Sequence, residues 1–213
     1  MSDPSALRQS YERGALVESD LAATPAEQFA RWFEEALASG TSEPNAMTLA
    51  TVSNDGQPSA RIVLLKGFDE AGFVFFTHYT SRKGREAEAA GRAALCFWWP
   101  PLERQVRIEG TVERVSAAES DAYFAVRPRQ SQLGAVASPQ SAVVANREAL
   151  DAAMAEAEER FEGRDVPRPA SWGGYRVVPE TVEFWQGRAG RLHDRLRYRC
   201  NEAGGWMVER LAP

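Results

Sequence analysis

Hydrophobic positions in the first part of the chain are spaced as in a helix. Apolar side chains recur every three or four residues across residues 29–37, and Gly40 follows them. Thr24 is a typical N-cap, Pro25 suits the first helical position, and Glu27 completes a Thr-x-x-Glu capping box. The pattern predicts a helix that starts after Thr24 and packs one apolar face on a sheet.

From Met47 onward the hydrophobic period becomes two, which is typical of strands. Turn sequences at residues 54–56 and 69–72 divide this region. The predicted strands are residues 47–52, 60–68 and 73–78. Their order and short turns predict an antiparallel meander.

The rest of the chain adds strands and helices around this meander. Ser81 as N-cap and Gly91 as C-terminal stop predict a short helix. Further strands are expected at residues 93–99, 105–115 and 175–185 and in a hairpin at 196–210, and helices at 117–126, from Pro128 and at 147–161. Without regular βαβ alternation, the pattern predicts a mainly β fold with peripheral helices (α+β class), an antiparallel barrel of Greek-key type.

Length and composition favour one soluble domain. Residues 1–21 lack periodicity and are expected to form a flexible arm, and residues 22–213 a single domain. The chain has no apolar run of membrane-spanning length and no apolar leader, so we expect no membrane contact and a cytoplasmic protein. Cys96 and Cys200 are far apart and only two histidines are present, so we expect reduced thiols and no metal site.

The net charge of −5 argues against a nucleic-acid partner, because backbone phosphates require a broad basic surface. Local basic clusters remain. Arg191, His193 and Arg195 would share one face of an extended segment, where three cationic groups favour an anion or negative charge developing in a reaction. The alternative is a charged strand edge that discourages aggregation.

Two further groups of cations precede this cluster. Arg61 and Lys66 are five residues apart, on opposite faces of a regular strand, so they could serve two different anions. Alternatively, they flank a buried apolar strand. Ser81, Arg82 and Lys83 open a helix, where backbone N–H groups and the helix dipole favour an anion. The alternative there is a solvated first turn.

A last group combines hydroxyls, amides and a cation. Tyr123, Arg127 and Ser131 are spaced four and four, but the proline after Arg127 predicts a bend that leaves three donors around it. Gln105 and residues 138–141 add neutral donors suited to the edge of a heteroaromatic ring. No Rossmann or P-loop signature is present, so side chains must hold any phosphate.

In this order, these segments resemble the pyridoxine/pyridoxamine 5′-phosphate oxidase family over nearly the whole chain. The likeness is carried by residues 61–66, 81–83, 97–100, 102–106, 172–174, 184–187 and 191–195. The resemblance implies an FMN-binding split barrel that works as a homodimer, with flavin at the subunit interface. It also implies oxidation of pyridoxamine or pyridoxine 5′-phosphate to pyridoxal 5′-phosphate, with hydride transfer to the flavin and O2 reduced to H2O2.

The resemblance also assigns roles to residues of this chain. It implies FMN contacts by Arg61, Ile62, Val63, Leu64, Leu65, Lys66, Phe76, Thr77, Arg82, Lys83, Gln105, Gln140, Ser141, Trp185 and Arg195. It implies substrate contacts by Lys66, Tyr123, Arg127, Ser131, Arg191, His193, Arg8 and Tyr11, with Arg191 and His193 as the catalytic pair over the pyridine ring. Two alternatives are a split-barrel flavin protein that oxidises no vitamer and a nicotinamide-dependent flavin reductase.

Overall fold

A computed structural model describes residues 10–213, so the predicted substrate contact of Arg8 lies outside the described residues. Within these described residues, nine strands form one sheet: β1 Ala46–Val52, β2 Pro58–Leu64, β3 Gly67–Asp69, β4 Gly72–His78, β5 Arg92–Trp99, β6 Arg104–Arg114, β7 Trp172–Gln186, β8 Asp194–Cys200 and β9 Trp206–Arg210. The helices are α1 Pro25–Ala38, α2 Arg82–Ala90, α3 Ala117–Ala125, α4 Arg129–Ala137 and α5 Arg147–Arg160. The predicted mainly β fold with peripheral helices is confirmed.

The sheet is antiparallel and curls into a split barrel. The strand order is β2-β1-β5-β6-β7-β4-β3, and β8 and β9 extend the sheet from the second half of β7. The predicted meander is wrong, because the expected strand at residues 60–68 breaks at Leu65 and Lys66. Leu65 N–H donates to the carbonyl of Asn45 and Lys66 N–H to that of Val74, both at 2.8 Å. Consequently β2 pairs with β1 while β3 pairs with β4, and the chain itself joins the two ends of the sheet.

Helix α1 covers the core as the sequence predicts. Thr24 Oγ1 accepts a hydrogen bond from Glu27 N–H at 3.2 Å, which is the N-cap half of the expected box. Phe29 is fully buried, with its ring centroid 4.9 Å from that of Phe73 and 5.0 Å from that of Phe97. Burial of each such ring contributes roughly 1.5–3 kcal/mol. The apolar stripe on α1 therefore holds the helix on the barrel.

Helices α3, α4 and α5 form a second, smaller cluster beside β7. Two glycines allow this close packing: a Cβ at Gly173 would lie 2.9 Å from Ser120 Oγ of α3, and one at Gly174 would lie 2.6 Å from Cγ2 of Val115, just before α3. Gly174 N–H donates to Ser120 Oγ of α3 at 3.2 Å. This contact fixes α3, and with it the start of the predicted bend, against β7.

Part of the predicted arm contacts the domain. Leu16 is buried, and its N–H donates to Asp194 Oδ2 at 3.1 Å. Leu16 also accepts, through its carbonyl, a hydrogen bond from Arg210 Nη2 at 3.1 Å. The division into residues 1–21 and 22–213 stays a prediction. Across residues 10–213, no helix combines the length and apolar character needed to cross a bilayer.

Candidate functional site

A cavity of about 530 Å3 opens where the corner between β2 and β3 meets β4 and the bend between α3 and α4. Its lining residues are Arg61, Ile62, Val63, Leu64, Lys66, Phe76, Thr77, Lys83, Tyr123, Val126, Arg127, Pro128, Ser131, Gln140 and Trp172. Four of these are cations and, among the described residues that line the cavity, none is a carboxylate. In a chain of net charge −5, such a concentration of positive charge favours the binding of an anion.

The corner between β2 and β3 places two of these cations. Arg61 belongs to β2, whereas Lys66 follows the break in the strand. Both line the same cavity, so the prediction that they occupy opposite faces of one regular strand is wrong. The cause is the break at Leu65, which redirects the chain before Lys66.

Three parallel aromatic rings form one wall of the cavity. The ring centroid of Phe76 is 4.1 Å from that of Tyr123 and 5.4 Å from that of Trp172, with interplanar angles of 21° and 13°. Cations lie over two of these rings. The Arg127 guanidinium carbon is 4.6 Å from the Trp172 centroid, and Lys66 Nζ is 6.0 Å from the Tyr123 centroid. The rings therefore supply attractive surfaces for the cations.

Arg127 carries an unused donor. Within residues 10–213, its buried Nη1 atom has no hydrogen-bond partner. Burial lowers the pKa of Arg127, and an unpaired buried donor costs roughly 1–3 kcal/mol, more for a charged group. An anion in the cavity would relieve that cost.

Lys83 supplies positive charge from the first turn of α2. Ser81 caps this helix, its Oγ accepting from Gly84 N–H at 3.2 Å, as the sequence predicts. Lys83 Nζ donates to Gln140 Oε1 at 3.1 Å and to Thr77 Oγ1 at 3.3 Å. Burial, followed by the positive charge of Arg61, lowers the pKa of Lys83. A bound phosphate would offset both effects.

Arg61 and Arg82 meet at one buried carboxylate, Glu86. Arg61 Nη2 lies 3.4 Å from Glu86 Oε2, and Arg82 Nε donates to Glu86 Oε1 at 2.7 Å. Arg61 lines the cavity, whereas Arg82, a predicted FMN contact, pairs with Glu86 along its own helix and is not among the lining residues.

The predicted contacts Gln105, Trp185 and Arg195 lie with Trp98 in one row across four strands. Trp98 pairs with Gln105, Gln105 with Trp185, and Trp185 with Arg195, so these side chains share one face of the sheet. Tyr11 packs on this row, its ring 5.8 Å from that of Trp185. Tyr11, Trp98, Gln105 and Trp185 line a shallow cavity of about 370 Å3, and among described residues none lines both cavities.

The C-terminal cluster differs from its prediction. Arg191 ends the 3-10 turn Ala189–Arg191 with a φ of 62°, and β8 begins only at Asp194. The prediction that Arg191, His193 and Arg195 share a strand face is therefore wrong, because this turn precedes the strand. His193 Nδ1 accepts from Arg188 N–H at 3.1 Å, and its ring lies 4.6 Å from that of Trp185.

Arg195 lies in β8 and is held by a carboxylate that the sequence analysis missed. Its Nε and Nη2 donate to the two oxygens of buried Glu183 at 2.9 Å and 3.0 Å. These two hydrogen bonds raise the pKa of Arg195 above its usual value. Only the pairing register of β7 and β8 brings these residues together. Glu86, also missed, had a local signal, since it follows Arg82 by one helical turn.

The remaining predicted contacts are near the cavity without lining it. Leu65 is buried in the barrel, and Ser141 is exposed with a φ of 72° beside Gln140. Trp172, Val126 and Pro128 line the cavity but were not assigned. The Trp-Gly-Gly segment was the available signal for Trp172.

Two features define the class of protein to which this chain belongs: a split β-barrel, and a cavity lined by aromatic rings and several cations. Two family models match the chain, "Pyridoxamine 5′-phosphate oxidase" over residues 33–161 and "Pyridoxine 5′-phosphate oxidase C-terminal dimerisation region" over residues 172–213. The chain belongs to the pyridoxine/pyridoxamine 5′-phosphate oxidase family and is an oxidoreductase. The resemblance stated from the sequence is confirmed.

Individual relatives agree with this family. The Bordetella pertussis pyridoxine/pyridoxamine 5′-phosphate oxidase is 61% identical over 207 residues, covering 97% of this chain and 98% of the relative. The Rubrobacter xylanophilus protein of the same name is 61% identical over 211 residues, covering 99% and 97%.

Solved structures share the fold. PhzG from Burkholderia lata 383, in complex with tetrahydrophenazine-1-carboxylic acid, has a TM-score of 0.88 at 34% identity, covering 96% of this chain and 100% of that one. An FMN-binding protein from Nostoc punctiforme has a TM-score of 0.72 at 18% identity, covering 91% and 100%. The latter likeness concerns the fold alone.

Proposed function

We propose that this protein is an FMN-dependent oxidase that converts pyridoxamine 5′-phosphate and pyridoxine 5′-phosphate to pyridoxal 5′-phosphate, with O2 as electron acceptor and H2O2 as product. The observation that carries the proposal is the cavity with four cations and an Arg127 donor that has no partner within residues 10–213. A phosphate carries about −1.5 to −2 charge at neutral pH. Four cations therefore match two phosphates, one from FMN and one from the substrate.

The lining residues divide into two groups of donors. Lys66, Tyr123, Arg127 and Ser131 surround the bend after α3, and we assign them to the substrate phosphate. Arg61 and Lys83, with the neutral groups of Thr77 and Gln140, lie on the side of α2, and we assign them to FMN. Guanidinium, ammonium, hydroxyl and amide groups are suited to phosphate oxygens, so the donor set fits both ligands.

A homodimer completes the site in this proposal. The family's C-terminal dimerisation region spans β7 to β9, which carry Trp185 and Arg195. In one chain, the row from Trp98 to Arg195 is separate from the cationic cavity. Ile62 at the cavity rim is 65% exposed and Trp98 is 43% exposed. A second copy that covers these apolar groups would bring its Gln105, Trp185 and Arg195 to the flavin.

FMN, when bound, supplies the redox chemistry, so the chain must bind, orient and place charge. Glu183 holds the Arg195 guanidinium by two hydrogen bonds, giving a fixed positive charge for the flavin's pyrimidine edge. Arg191 and His193 would lie over the substrate's pyridine ring and orient its reacting carbon. Arg188 N–H and the Trp185 ring restrain the His193 imidazole for that role.

The test uses the purified protein. We expect a yellow protein whose flavin absorbance is bleached by pyridoxamine 5′-phosphate without oxygen, then restored with H2O2 release when oxygen is admitted. A flavin protein that oxidises no vitamer would stay yellow under substrate. A flavin reductase would be bleached only by a reduced nicotinamide. A colourless protein after incubation with FMN would overturn the proposal.

A further inference from the structure

Glu86 is a buried carboxylate to which the proposed reaction gives no role. Only 6% of its surface is exposed. It accepts hydrogen bonds from Thr51 Oγ1 and Ser59 Oγ at 2.5 Å and from Arg82 Nε at 2.7 Å. Burial alone would raise the pKa of Glu86, but these three hydrogen bonds lower it to about 2. The carboxylate is therefore ionised at neutral pH.

The same two hydroxyls also hold Arg61. Arg61 Nη1 donates to Thr51 Oγ1 and Nη2 to Ser59 Oγ, both at 2.5 Å. Nη1 also donates to the carbonyl of Leu49 at 3.2 Å. Thr51 and Ser59 thus link the guanidinium to Glu86 in a closed network. Arg61 lines the cavity, and both of its terminal nitrogens donate to this network.

We propose that Glu86 is a positioning residue for FMN: it fixes the Arg61 guanidinium in the cavity wall. The inference rests on the proposed function, because it takes the anion beside Arg61 to be the FMN phosphate. Arg side chains have several rotatable bonds, and a guanidinium ordered in advance loses less freedom when an anion binds. Glu86 supplies that order.

Simple electrostatics predicts the opposite effect. A carboxylate beside a phosphate site repels the phosphate, so its removal should tighten FMN binding by making the cavity more positive. Positioning predicts weaker binding after removal. The sign of the change therefore separates the two explanations.

The experiment measures the FMN dissociation constant of the full-length protein by quenching of flavin fluorescence, after removal of bound FMN. The variants are Glu86→Ala and Glu86→Gln. We expect Glu86→Ala to weaken FMN binding by about tenfold or more, the scale of a charged hydrogen bond lost. Glu86→Gln should stay within about threefold of the parent, because its amide oxygen still accepts from the hydroxyls.

Glu88→Ala is the matched control on the same helix. Glu88 also accepts from an arginine and a hydroxyl, Arg114 Nε at 2.5 Å and Tyr175 Oη at 2.8 Å. Its removal should leave the FMN dissociation constant unchanged. If Glu86→Ala does not fold, Ser59→Ala breaks one link of the same network and should weaken FMN binding at least threefold.

Binding of FMN by Glu86→Ala as tight as or tighter than by the parent would overturn the inference. Equal weakening in Glu86→Ala and Glu86→Gln would also overturn it, because the acceptor geometry would then be irrelevant. A parent protein that binds no FMN would instead refute the proposed function and this inference with it. Binding by the parent with no effect of either Glu86→Ala or Ser59→Ala refutes the positioning role alone.

Discussion

Replacing Arg127 by Ala should weaken substrate binding without destabilising the protein. The guanidinium has one buried nitrogen without a hydrogen-bond partner among the described residues. Its central carbon also lies 4.6 Å from the centroid of the Trp172 ring. If the substrate phosphate accepts from that nitrogen, Arg127→Ala removes a charged hydrogen bond worth about 2–3 kcal/mol. The substrate dissociation constant should rise by roughly 30- to 150-fold.

The stability of the ligand-free protein should change much less. Removal of the unpaired buried donor relieves roughly 1–3 kcal/mol. Loss of the cation–π contact with Trp172 costs about 0.5–2 kcal/mol. These two effects of Arg127→Ala have opposite signs and similar size. We therefore expect the free energy of unfolding to fall by no more than about 1 kcal/mol relative to the parent.

Three measurements test this prediction. The affinity of the substrate phosphate site is measured by titrating FMN-loaded protein with the product, pyridoxal 5′-phosphate, which carries the same phosphate group. FMN affinity is measured by flavin fluorescence, and stability by urea unfolding without ligands. Arg127→Lys is the control that keeps the charge but loses the planar fork, and it should bind product with intermediate affinity. Loss of FMN with unchanged product affinity would show that the two anion sites are assigned the wrong way round. A large loss of stability would make Arg127 a structural residue.

Further predictions concern the chemistry, acid stability and packing. Arg191→Met should slow the anaerobic reduction of the flavin by substrate, measured by stopped-flow, and leave the flavin spectrum intact. The rate should fall about a hundredfold if the substrate is misplaced by about 1 Å. An unchanged rate would show that Arg191 is not part of the substrate site. Because the pKa of Glu86 is lowered from 4.5 to about 2, its contribution to stability is present above pH 4.5 and is lost as the pH falls toward 2. Urea unfolding of Glu86→Gln should therefore show a shallower loss of stability over that range, and identical slopes would contradict the ionised network. Gly110→Ala places a Cβ 1.9 Å from the Val178 carbonyl oxygen and should destabilise the barrel by more than about 1–3 kcal/mol. Gly134 lies in helix α4, where an added Cβ would meet no neighbouring atom within 4 Å. Gly134→Ala should therefore stabilise the protein by about 0.5–1 kcal/mol. Similar melting temperatures of the Gly110→Ala and Gly134→Ala variants would refute this contrast.

Local signals determined most elements of this protein. The Thr24 cap and the apolar spacing after it identify α1, and Ser81 with Gly91 bounds α2. The start at Pro128 separates α3 from α4 as predicted. Capping, periodicity and turn residues act within a few positions of the chain, so they can be read from the sequence. The ordered family segments likewise identify the family without a structure.

Tertiary structure decided which of these residues meet. The break at Leu65 is not visible in the alternating pattern, because it results from hydrogen bonds to Asn45 and Val74 on two different neighbouring segments. That break brings Arg61 and Lys66 into one cavity instead of onto two faces. Long-range pairing, rather than local preference, determines where such a strand ends.

The tertiary structure also decided which carboxylates pair with the arginines of the site. Glu183 meets Arg195 only through the register of β7 with β8. Arg61 meets Glu86 only because α2 packs on β1, the strand that pairs with β2. Hydrogen bonds between residues distant in the chain require both partners to be positioned by packing. The sequence therefore determined which chemical groups are available to this protein. The tertiary structure determined which charges are paired. It also left the Arg127 donor without a partner among the described residues.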